Sequence, residues 1–283
     1  MERISVSLIT TLYNEADNVL GFLESYKCQT KYADEFIIVD GGSTDGTIET
    51  IRTFAKNNAH LSIRLIVDPS CSKKHIAGPI AKGRNVAIEH AKHDIIAVTD
   101  AGCVLESCWL EEITRPFDDP QTDVVAGWYK PYETNSFQRY YARVYMASEE
   151  EAKRDTFLPS SRSIAFKKAC WEKVGGYPTE TLTAEDTYFD LRLKEAKCRF
   201  VFAPKAVVLW HCPASEEEAL QKAHYYAQGD GKMRLFFGKF LVRNLLLCLP
   251  VHIMLSNKKR KRFWFNYRMM MQYQKGYIKG LFS

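Results

Sequence analysis

Four acidic residues each lie just beyond a short apolar segment of the chain: Glu15, Asp40, Asp68 and Asp100. Carboxylates accept hydrogen bonds from ribose hydroxyls and base N–H groups, and they hold divalent cations that bridge phosphates. If the fold gathers these four side chains in one crevice, their chemistry suits a nucleotide diphosphate.

A further acidic feature is the pair Glu185-Asp186, which opens a helical pattern. Acidic residues in a first turn stabilise a helix through its dipole, and this role is one interpretation of the pair. The other interpretation is catalysis, because a positioned carboxylate takes a proton from a reacting hydroxyl group. The pattern by itself leaves both interpretations open.

The segments before the four acidic residues indicate buried β-strands, because they are short, apolar and rich in β-branched residues. They are residues 4–9, 36–39, 61–67 and 95–98, and helical periodicity lies between them at 15–28, 45–57 and 79–92. This alternation predicts an α/β fold with a mostly parallel central sheet and helices on both faces. Ligands bind at the carboxyl ends of the strands in such sheets.

The second half of the chain also shows mixed patterns. Strands are predicted at 124–129 and 163–166, and helices near 167–174 and 185–197. Residues 199–202 and 206–209 are predicted to form two short strands separated by Pro204.

The loop Gly41-Gly42-Ser43-Thr44-Asp45-Gly46-Thr47 follows Asp40. It matches neither G-x-G-x-x-G nor G-x-x-x-x-G-K-[ST], which excludes a Rossmann dinucleotide site and a P-loop. A tight turn followed by a helix N-cap at Ser43 or Thr44 explains the loop in structural terms, and Asp40 would then be a turn former.

The composition fits a cytoplasmic globular protein. The 283 residues carry a net charge of +5, and the 46% that are hydrophobic suffice for a large core. The eight cysteines form no C-x-x-C pair and follow no zinc or disulfide spacing, which favours reduced thiols. The N-terminal segment does not have the pattern of a signal peptide. The basic excess lies near the C-terminus, which argues against nucleic acid as a partner.

Taken in order, these motifs resemble those of the family 2 glycosyltransferases, which have the GT-A fold and belong to the nucleotide-diphospho-sugar transferase superfamily. The matching segments are Tyr13-Asn14-Glu15, Ile37-Ile-Val-Asp40-Gly-Gly-Ser-Thr-Asp-Gly-Thr47, Gly83-Arg84-Asn85, Asp100 and Glu185-Asp186. The resemblance implies a GT-A domain at 1–213, with a nucleotide-sugar-binding half at 1–130 and an acceptor and catalytic half at 131–213. A helical, basic and aromatic region follows at 214–283.

Carried over position by position, the resemblance implies a nucleotide-diphospho-sugar donor and a hydroxyl acceptor. The residues implied for donor binding are Thr11, Tyr13, Glu15, Asp40, Asp68, Lys82, Arg84, Asn85 and Asp100. Those implied for acceptor binding are Ser161, Arg162 and Glu185, with Ser160 beside them. Asp186 aligns with the catalytic acid, which takes the acceptor proton as the oxygen attacks the anomeric carbon opposite the diphosphate. Such a displacement inverts the configuration.

The resemblance also implies a divalent cation, Mn²⁺ or Mg²⁺, that counters the charge of the leaving diphosphate. Asp100 matches the first acid of the family's D-x-D metal motif, and His211 matches a position where some relatives supply a metal-binding histidine. The chain departs from the motif at Gly102, where the second acid is expected. One carboxylate holds such an ion less firmly than two.

The C-terminal region combines apolar and basic segments. Residues 241–255 are the most apolar stretch but are shorter than the roughly 20 residues that cross a bilayer. The basic block 258–262 and several aromatic residues follow, a mixture typical of a helix at an anionic membrane surface. We therefore expect peripheral association with the inner face of the plasma membrane. The other interpretation is a helix packed on the domain or on a second subunit.

Three functions are consistent with these patterns. The first is an inverting glycosyltransferase of bacterial polysaccharide or lipid-linked glycan synthesis. The second is a polyprenyl-phosphate sugar synthase, whose acceptor is already anionic. The third is a non-catalytic nucleotide-sugar-binding module, which Asp100-Ala101-Gly102 favours and Glu185-Asp186 disfavours.

Overall fold

The computed structural model describes residues 4–245 and 251–283, without the side chains of residues 243–245, 251 and 252. The strands in these ranges are β1 Val6–Leu12, β2 Glu35–Asp40, β3 Ile63–Val67, β4 Ile95–Val98, β5 Cys103–Leu105, β6 Val124–Pro131, β7 Ile164–Lys167 and β8 Phe200–Trp210. The helices are α1 Ala16–Lys27, α2 Thr47–Asn57, α3 Pro79–His90, α4 Trp109–Thr114, α5 Ser136–Tyr145, α6 Glu149–Ala152, α7 Lys168–Val174, α8 Glu185–Glu195, α9 Glu216–Lys232, α10 Phe237–Leu245, α11 Val251–Leu255, α12 Asn257–Arg260 and α13 Phe263–Leu281.

These strands form one sheet in the order β3-β2-β1-β4-β7-β6-β8-β5. The first four are parallel, as expected of strands that are joined by helical crossovers. By contrast, β7 is antiparallel to β4 and to β6, and β5 is antiparallel to β8. The predicted α/β fold is confirmed, but the sheet is mixed because the connections after β4 return the chain in the opposite direction.

Alternate residues of each parallel strand enter two different hydrophobic clusters. Leu8 and Ile38 pack with side chains of α1, α2 and α4. Their neighbours Ile9 and Ile37 pack with side chains of α3, α7 and α8. Successive strand residues point to opposite faces of a sheet, so helices cover both faces, as predicted. Burying each large aliphatic side chain contributes about 1.5–3 kcal/mol.

The carboxyl ends of the parallel strands stop at one edge of the sheet. Leu12 pairs with Asp40, and Asp40 pairs with Val67, at the ends of β1, β2 and β3. The backbone N–H of Thr99 donates to the carbonyl of Ile9 at 3.3 Å, which brings the end of β4 to the same edge. The fold therefore places the predicted acidic residues along this edge.

The prediction of two short strands around Pro204 is wrong, because β8 runs without interruption through it. Pairing with β5 involves only the far end of β8, where Val208 and Trp210 face Leu105 and Cys103. Pro204 is exposed and lies outside that ladder. A proline is tolerated in a strand where its nitrogen faces no ladder partner.

The chain divides into two compact units. The first consists of Met1–Lys130, Glu149–Glu180 and Glu185–Trp210, and the second of Pro131–Ser148, Thr181–Ala184 and His211–Ser283. The last segment of the second unit begins at His211, near the predicted boundary at 213/214. The unit also includes residues 131–148 and 181–184, which precede that boundary. The assignment of donor and acceptor functions to 1–130 and 131–213 stays a prediction.

The predicted helical C-terminal region is confirmed as α9 to α13. The backbones of α9 and α13 approach so closely that only glycine fits at three positions. A Cβ atom at Gly231, Gly276 or Gly280 would lie 2.1 Å from a backbone carbonyl oxygen of the opposite helix. On α13, the buried Tyr277 ring stacks on Phe240 with the ring centroids 4.0 Å apart. Much of α13 is therefore packed inside the second unit.

The predicted apolar stretch 241–255 is only partly described, because residues 246–250 lie outside the described residues. Within 4–245 and 251–283, no helix combines the length and the apolar character needed to cross a membrane.

Candidate active site

The loop after β2 is organised by the carboxylate of Asp40, which is fully buried. Its Oδ1 accepts hydrogen bonds from the backbone N–H groups of Gly42 at 2.8 Å and Ser43 at 2.6 Å, and its Oδ2 accepts one from the Ser43 hydroxyl at 2.7 Å. Gly42 has a φ of +87°, which glycine adopts without strain. Asp40 is therefore a turn former, and its contact with a nucleotide stays a prediction.

The β1–α1 loop is tied to the same loop by polar contacts. Asn14 has a φ of +54°, and its N–H donates to Ser43 Oγ at 2.8 Å. The N–H of Glu15 donates to Thr47 Oγ1 at 2.9 Å, while the Tyr13 ring is exposed beside them. Asn14 and Ser43 were not predicted as site residues. Both lie inside motifs on which the family resemblance rests, and that position could have identified them.

The loop after β3 is capped by Asp68, whose Oδ1 accepts from the N–H of Ser70 at 2.9 Å. Hydrogen bonding by Ser70 lowers the pKa of Asp68, and the charge of Lys82 on α3 adds to this effect. The next residue of α3, Gly83, packs directly on β1, because a Cβ there would lie 2.0 Å from Thr11 Oγ1. Thr11 thus fixes the position of α3 at the edge.

A buried guanidinium joins two of the predicted functional segments. Arg84 on α3 donates through Nη2 to Asp100 Oδ1 at 2.7 Å and through Nη1 to Glu185 Oε1 at 2.8 Å. Its Cζ also lies 5.3 Å from the centroid of the Tyr177 ring. Because Asp100 follows β4 and Glu185 begins α8, this one side chain brings the sheet edge and the predicted catalytic segment together.

The charges in this cluster shift the pKa values of its carboxyl groups. Burial opposes ionisation of Asp100, but the Arg84 and Arg162 guanidinium groups hold its pKa below the usual value. Burial and the charge of Asp186 raise the pKa of Glu185 to about 6, despite the contact with Arg84. Asp100 is therefore the more firmly ionised partner of Arg84.

Asp186, the predicted base, lies half-buried in the first turn of α8. Its Oδ2 accepts a hydrogen bond from the Ser160 hydroxyl at 3.3 Å, and Arg162 Nη1 donates to that same hydroxyl at 2.8 Å. Its Oδ1 accepts from the backbone N–H of Thr187 at 2.8 Å. The carboxylate is thus positioned from both sides, and this geometry is compatible with helix stabilisation and with catalysis.

Arg162 lies against two aromatic rings near the Asp100 carboxylate. Its Cζ lies 4.4 Å from the centroid of a Trp210 ring and 5.4 Å from that of Tyr129. Its Nε is 3.9 Å from Asp100 Oδ2, and its side chain is 17% exposed. The predicted acceptor residue therefore lies beside a residue that was predicted to contact the donor.

Asn85 and Ser161 support the turn at Tyr177. Asn85 Oδ1 accepts from the Tyr177 N–H at 2.9 Å and from Trp171 Nε1 at 3.0 Å. The hydroxyl groups of Ser161 and Tyr177 are 3.1 Å apart and buried, and the Tyr177 ring stacks on Phe189. The predicted donor and acceptor roles of Asn85 and Ser161 stay predictions, and their contacts in this structure are internal.

A carboxyl group that was not predicted lies one helical turn after Asp186. Asp190 is 1% exposed, and its Oδ2 has no hydrogen-bond partner among the described residues. Burial, with the nearby charge of Asp186, raises the pKa of Asp190 well above its usual value. Asp190 therefore lies buried one turn from the predicted base and is harder to ionise than an ordinary carboxyl group, and only its spacing of four residues from Asp186 signalled it in the sequence.

The expected cation site was tested against the side chains around Asp100. Asp100 Oδ1 is paired with Arg84, and Gly102 supplies no ligand. In the described part of the chain, no three His, Cys, Asp or Glu side chains form a metal-binding group. His211 belongs to the second unit, where its ring packs on Tyr132 with the centroids 4.5 Å apart. Mg²⁺ is usually bound by one or two protein carboxylates together with substrate phosphates, so a set of three protein ligands is not required of such a site. The divalent cation and its contacts with Asp100 and His211 stay predictions.

Comparison with known proteins finds relatives of the chain. The sequence profile described as glycosyl transferase family 2 matches residues 7–172. The chain is 26% identical over 203 residues to glycosyltransferase AglE of Haloferax volcanii, covering 70% of this chain and 64% of AglE. It is 25% identical over 217 residues to O-antigen chain rhamnosyltransferase RfbN of Salmonella typhimurium, covering 72% and 66%. The chain thus spans just under two thirds of the length of these relatives.

A solved structure with a similar fold is mannosyltransferase PcManGT from Pyrobaculum calidifontis, in complex with GDP-Man and Mn²⁺. The TM-score is 0.71 at 20% identity, covering 98% of this chain and 87% of PcManGT. A likeness at this level of identity establishes the fold, and it confirms the predicted GT-A architecture.

Proposed function

The chain belongs to glycosyl transferase family 2, and from this premise we propose that it is an inverting glycosyltransferase. It moves a sugar from a nucleotide-diphospho-sugar to a hydroxyl group of an acceptor. The observation that supports this most is the bridge from Arg84 to Asp100 and Glu185. Transfer requires the donor-binding and catalytic segments to meet, and this bridge joins them.

In the proposed reaction, Asp186 takes the proton of the acceptor hydroxyl while that oxygen attacks the anomeric carbon. The bond to the diphosphate breaks on the opposite face, so the configuration inverts. One base is enough for this displacement, whereas a retaining mechanism also needs a nucleophile. The Ser160 hydroxyl orients the base, and burial together with the charge of Asp186 disfavours ionisation of the neighbouring Asp190 by raising its pKa.

The donor is proposed to lie along the sheet edge, with its base and ribose near Tyr13, Glu15, Asp40 and Asp68. The loops that carry these residues are fixed by internal hydrogen bonds, as in the Asn14–Ser43 contact. A preorganised loop loses less conformational entropy when a ligand binds, which raises affinity.

We expect Asp40→Asn to weaken nucleoside-diphosphate binding by about 10- to 100-fold, because hydrogen bonds to a charged acceptor contribute about 1.5–3 kcal/mol. Asparagine keeps an acceptor oxygen for the loop N–H groups, so the loop should stay formed. Calorimetric titration with UDP, GDP and dTDP measures the change. The control is Asp119→Asn, an exposed residue paired with Arg199 elsewhere in the first unit, and it should not alter affinity. Equal affinity of Asp40→Asn and the wild type would remove Asp40 from the donor site.

The relatives support a role in glycan assembly. RfbN is an O-antigen chain rhamnosyltransferase, and an O-antigen chain is a saccharide with hydroxyl acceptors. We therefore propose that the acceptor is a bacterial polysaccharide or a lipid-linked glycan, extended on the cytoplasmic side of the membrane.

The second unit is proposed to hold the enzyme at an anionic membrane surface. Residues 231–283 contain twelve lysines and arginines and no acidic residue, whereas the whole chain carries only +5. Exposed apolar side chains lie among them, with Leu255 78% and Trp264 74% exposed. Apolar insertion and attraction to anionic lipid act together at such a surface, with about 1 kcal/mol for each basic residue near it.

Replacing three exposed basic residues of this region by glutamine should weaken binding to vesicles that contain phosphatidylglycerol by about 3 kcal/mol, or roughly 100-fold. The residues are Lys258, Arg260 and Lys261. Vesicle co-sedimentation measures the binding. Three exposed basic residues of the first unit provide the matched control, Arg52, Lys56 and Lys92. Binding that is as strong to pure phosphatidylcholine, or unchanged in the triple variant, would contradict membrane docking by this region.

A further inference from the structure

We propose that Tyr177 is a positioning residue for Asp186, and that Asn85 affects the reaction only through Tyr177. This inference rests on the proposed function, because it concerns the geometry of the proposed base. The sequence resemblance implied instead that Asn85 contacts the donor and that Ser161 contacts the acceptor.

The side-chain amide of Asn85 pairs with both backbone polar groups of Tyr177. Its Nδ2 donates to the Tyr177 carbonyl at 2.8 Å, and its Oδ1 accepts from the Tyr177 N–H at 2.9 Å. The same Oδ1 accepts from Trp171 Nε1 at 3.0 Å. An amide oxygen has two lone pairs, so these two hydrogen bonds use both of them. The side-chain oxygen of Asn85 is therefore committed to internal contacts.

The turn before Tyr177 permits this close pairing. Gly175 and Gly176 have φ values of +79° and +80°, which glycine adopts without strain. A Cβ atom on Gly176 would lie 3.0 Å from Asn85 Oδ1 and 3.0 Å from Trp171 Nε1. The absence of a side chain at this position leaves room for Asn85 to hold the Tyr177 backbone.

The side chain of Tyr177 contacts three further residues of the first unit. Its ring stacks on Phe189 with the centroids 4.1 Å apart, and Arg84 Cζ lies 5.3 Å from the ring centroid. Its hydroxyl group is 3.1 Å from that of Ser161, and both residues are 2% exposed. Because an unpaired buried hydroxyl group is unfavourable, this contact holds the Ser161 segment in place.

Two of these contacts lead to Asp186. The Ser160 hydroxyl, one residue before the contact with the Tyr177 hydroxyl, donates to Asp186 Oδ2 at 3.3 Å. Arg84 donates to Glu185, the residue before Asp186, at 2.8 Å. Tyr177 therefore supports the proposed base from both sides. Displacing a reacting group by about 1 Å can slow a reaction about 10²-fold, even when the altered residue is remote.

The variant Tyr177→Phe removes the hydroxyl group and keeps the ring on Phe189. We expect it to lower kcat by about 10- to 100-fold, because the base loses part of its support. Nucleoside-diphosphate affinity and the KM for the acceptor should stay within about twofold, since Tyr177 touches neither ligand. The measurement is release of nucleoside diphosphate, with the sugar nucleotide and lipid-linked glycan that the wild type turns over fastest.

The matched control is Tyr26→Phe, which also removes a buried hydroxyl group from the first unit. The Tyr26 hydroxyl accepts from the N–H of Ala33 at 3.1 Å, and its ring packs in the cluster on the opposite face of the sheet. Both variants should lose about 2–4 °C of melting temperature. Only Tyr177→Phe should lose turnover, which separates positioning from a purely structural role.

Two further variants test the route from Asn85 to the base. Asn85→Ala should lower kcat at least as much as Tyr177→Phe and leave nucleoside-diphosphate affinity within about twofold, which also shows that the variant is folded. Ser161→Ala combined with Tyr177→Phe should be no slower than either single variant, because both changes remove the same contact. If Asn85→Ala does not fold, Tyr177→Phe and the double variant decide the question by themselves.

Three results overturn the inference and leave the proposed function intact. They are a kcat of Tyr177→Phe equal to that of Tyr26→Phe, a tenfold or larger loss of nucleoside-diphosphate affinity in Asn85→Ala, and losses that multiply in the double variant with a raised acceptor KM. A wild type that turns over no sugar nucleotide, or full activity of Asp186→Asn, is a different outcome. In that case the proposed base fails, and this inference fails with it.

Discussion

Replacing Asp186 by asparagine is expected to lower turnover by about 10²- to 10⁴-fold, the range that a positioned general base supplies. Asparagine has nearly the same shape, and its Oδ1 can still accept from the Thr187 N–H, while its Nδ2 can donate to the Ser160 hydroxyl, which is able to accept. It cannot take a proton, so the acceptor hydroxyl must attack without deprotonation. Nucleoside-diphosphate affinity should stay within about twofold, because no contact of Asp186 with the donor is proposed.

The measurement is release of nucleoside diphosphate from a panel of sugar nucleotides in the presence of lipid-linked glycan acceptors. Glu195→Gln is the matched control, since it removes one exposed carboxylate from the same helix. The result also separates the alternative functions. Full activity of Asp186→Asn would point to a polyprenyl-phosphate acceptor, which is already anionic. Tight donor binding by a wild type without turnover would point to a binding module.

The second large effect is expected from Arg84→Met, which should destabilise the protein by about 3–5 kcal/mol. Methionine fills much of the volume but leaves Asp100 and Glu185 without their buried partner. For a chain of this length, about 2–4 °C of melting temperature is lost for each kcal/mol, so the decrease should approach 10 °C. Thermal unfolding followed by circular dichroism measures it.

The pH dependence of this loss has a defined sign. In the wild type, Arg84 lowers the pKa of Asp100, so its contribution to stability is present at neutral pH and is lost as the pH falls through that pKa. In the variant, both carboxyl groups are protonated more readily. The difference in the free energy of unfolding should therefore be largest above about pH 6, near the raised pKa of Glu185, and should shrink toward pH 4.

Arg115→Met is the control for removing an arginine, because its ion pairs with Glu111 and Glu112 are exposed. Such pairs contribute about 0–1 kcal/mol, so its melting temperature should change by at most a few degrees. If Arg84→Met is as stable as this control, Arg84 does not hold Asp100 and Glu185 together, and the proposed function loses its main structural support.

The parallel half of the sheet was predictable because its signal is local. Runs such as Phe36-Ile-Ile-Val39 are apolar on both faces, and the structure buries them in two clusters. The edge on which Asp40, Asp68 and Asp100 lie follows from the rule that parallel strands end together. Pro204 misled the prediction because a proline interrupts a strand only where its missing N–H is needed, and Pro204 is exposed and lies outside the pairing with β5.

The side-chain contacts within the site were not predictable in the same way. Arg84 contacts Asp100 and Glu185, which are 16 and 101 positions further along the chain. No periodic pattern of residue types predicts a contact at such separations. The sequence resemblance placed Arg84 at the donor, but it did not indicate that two carboxylates occupy its guanidinium. Asp190 was missed because burial of a charged residue depends on tertiary packing, which a pattern of residue types does not contain.

The glycine contacts between α9 and α13 limit how the C-terminal region can change over evolution. With a carbonyl oxygen only 2.1 Å from each missing Cβ atom, even alanine at Gly231, Gly276 or Gly280 would force the helix axes apart along their whole length. Outward-facing residues can exchange charge or size without this penalty. The exposed surface of this region can therefore change in sequence, while the three glycines are kept by steric exclusion at the helix contact.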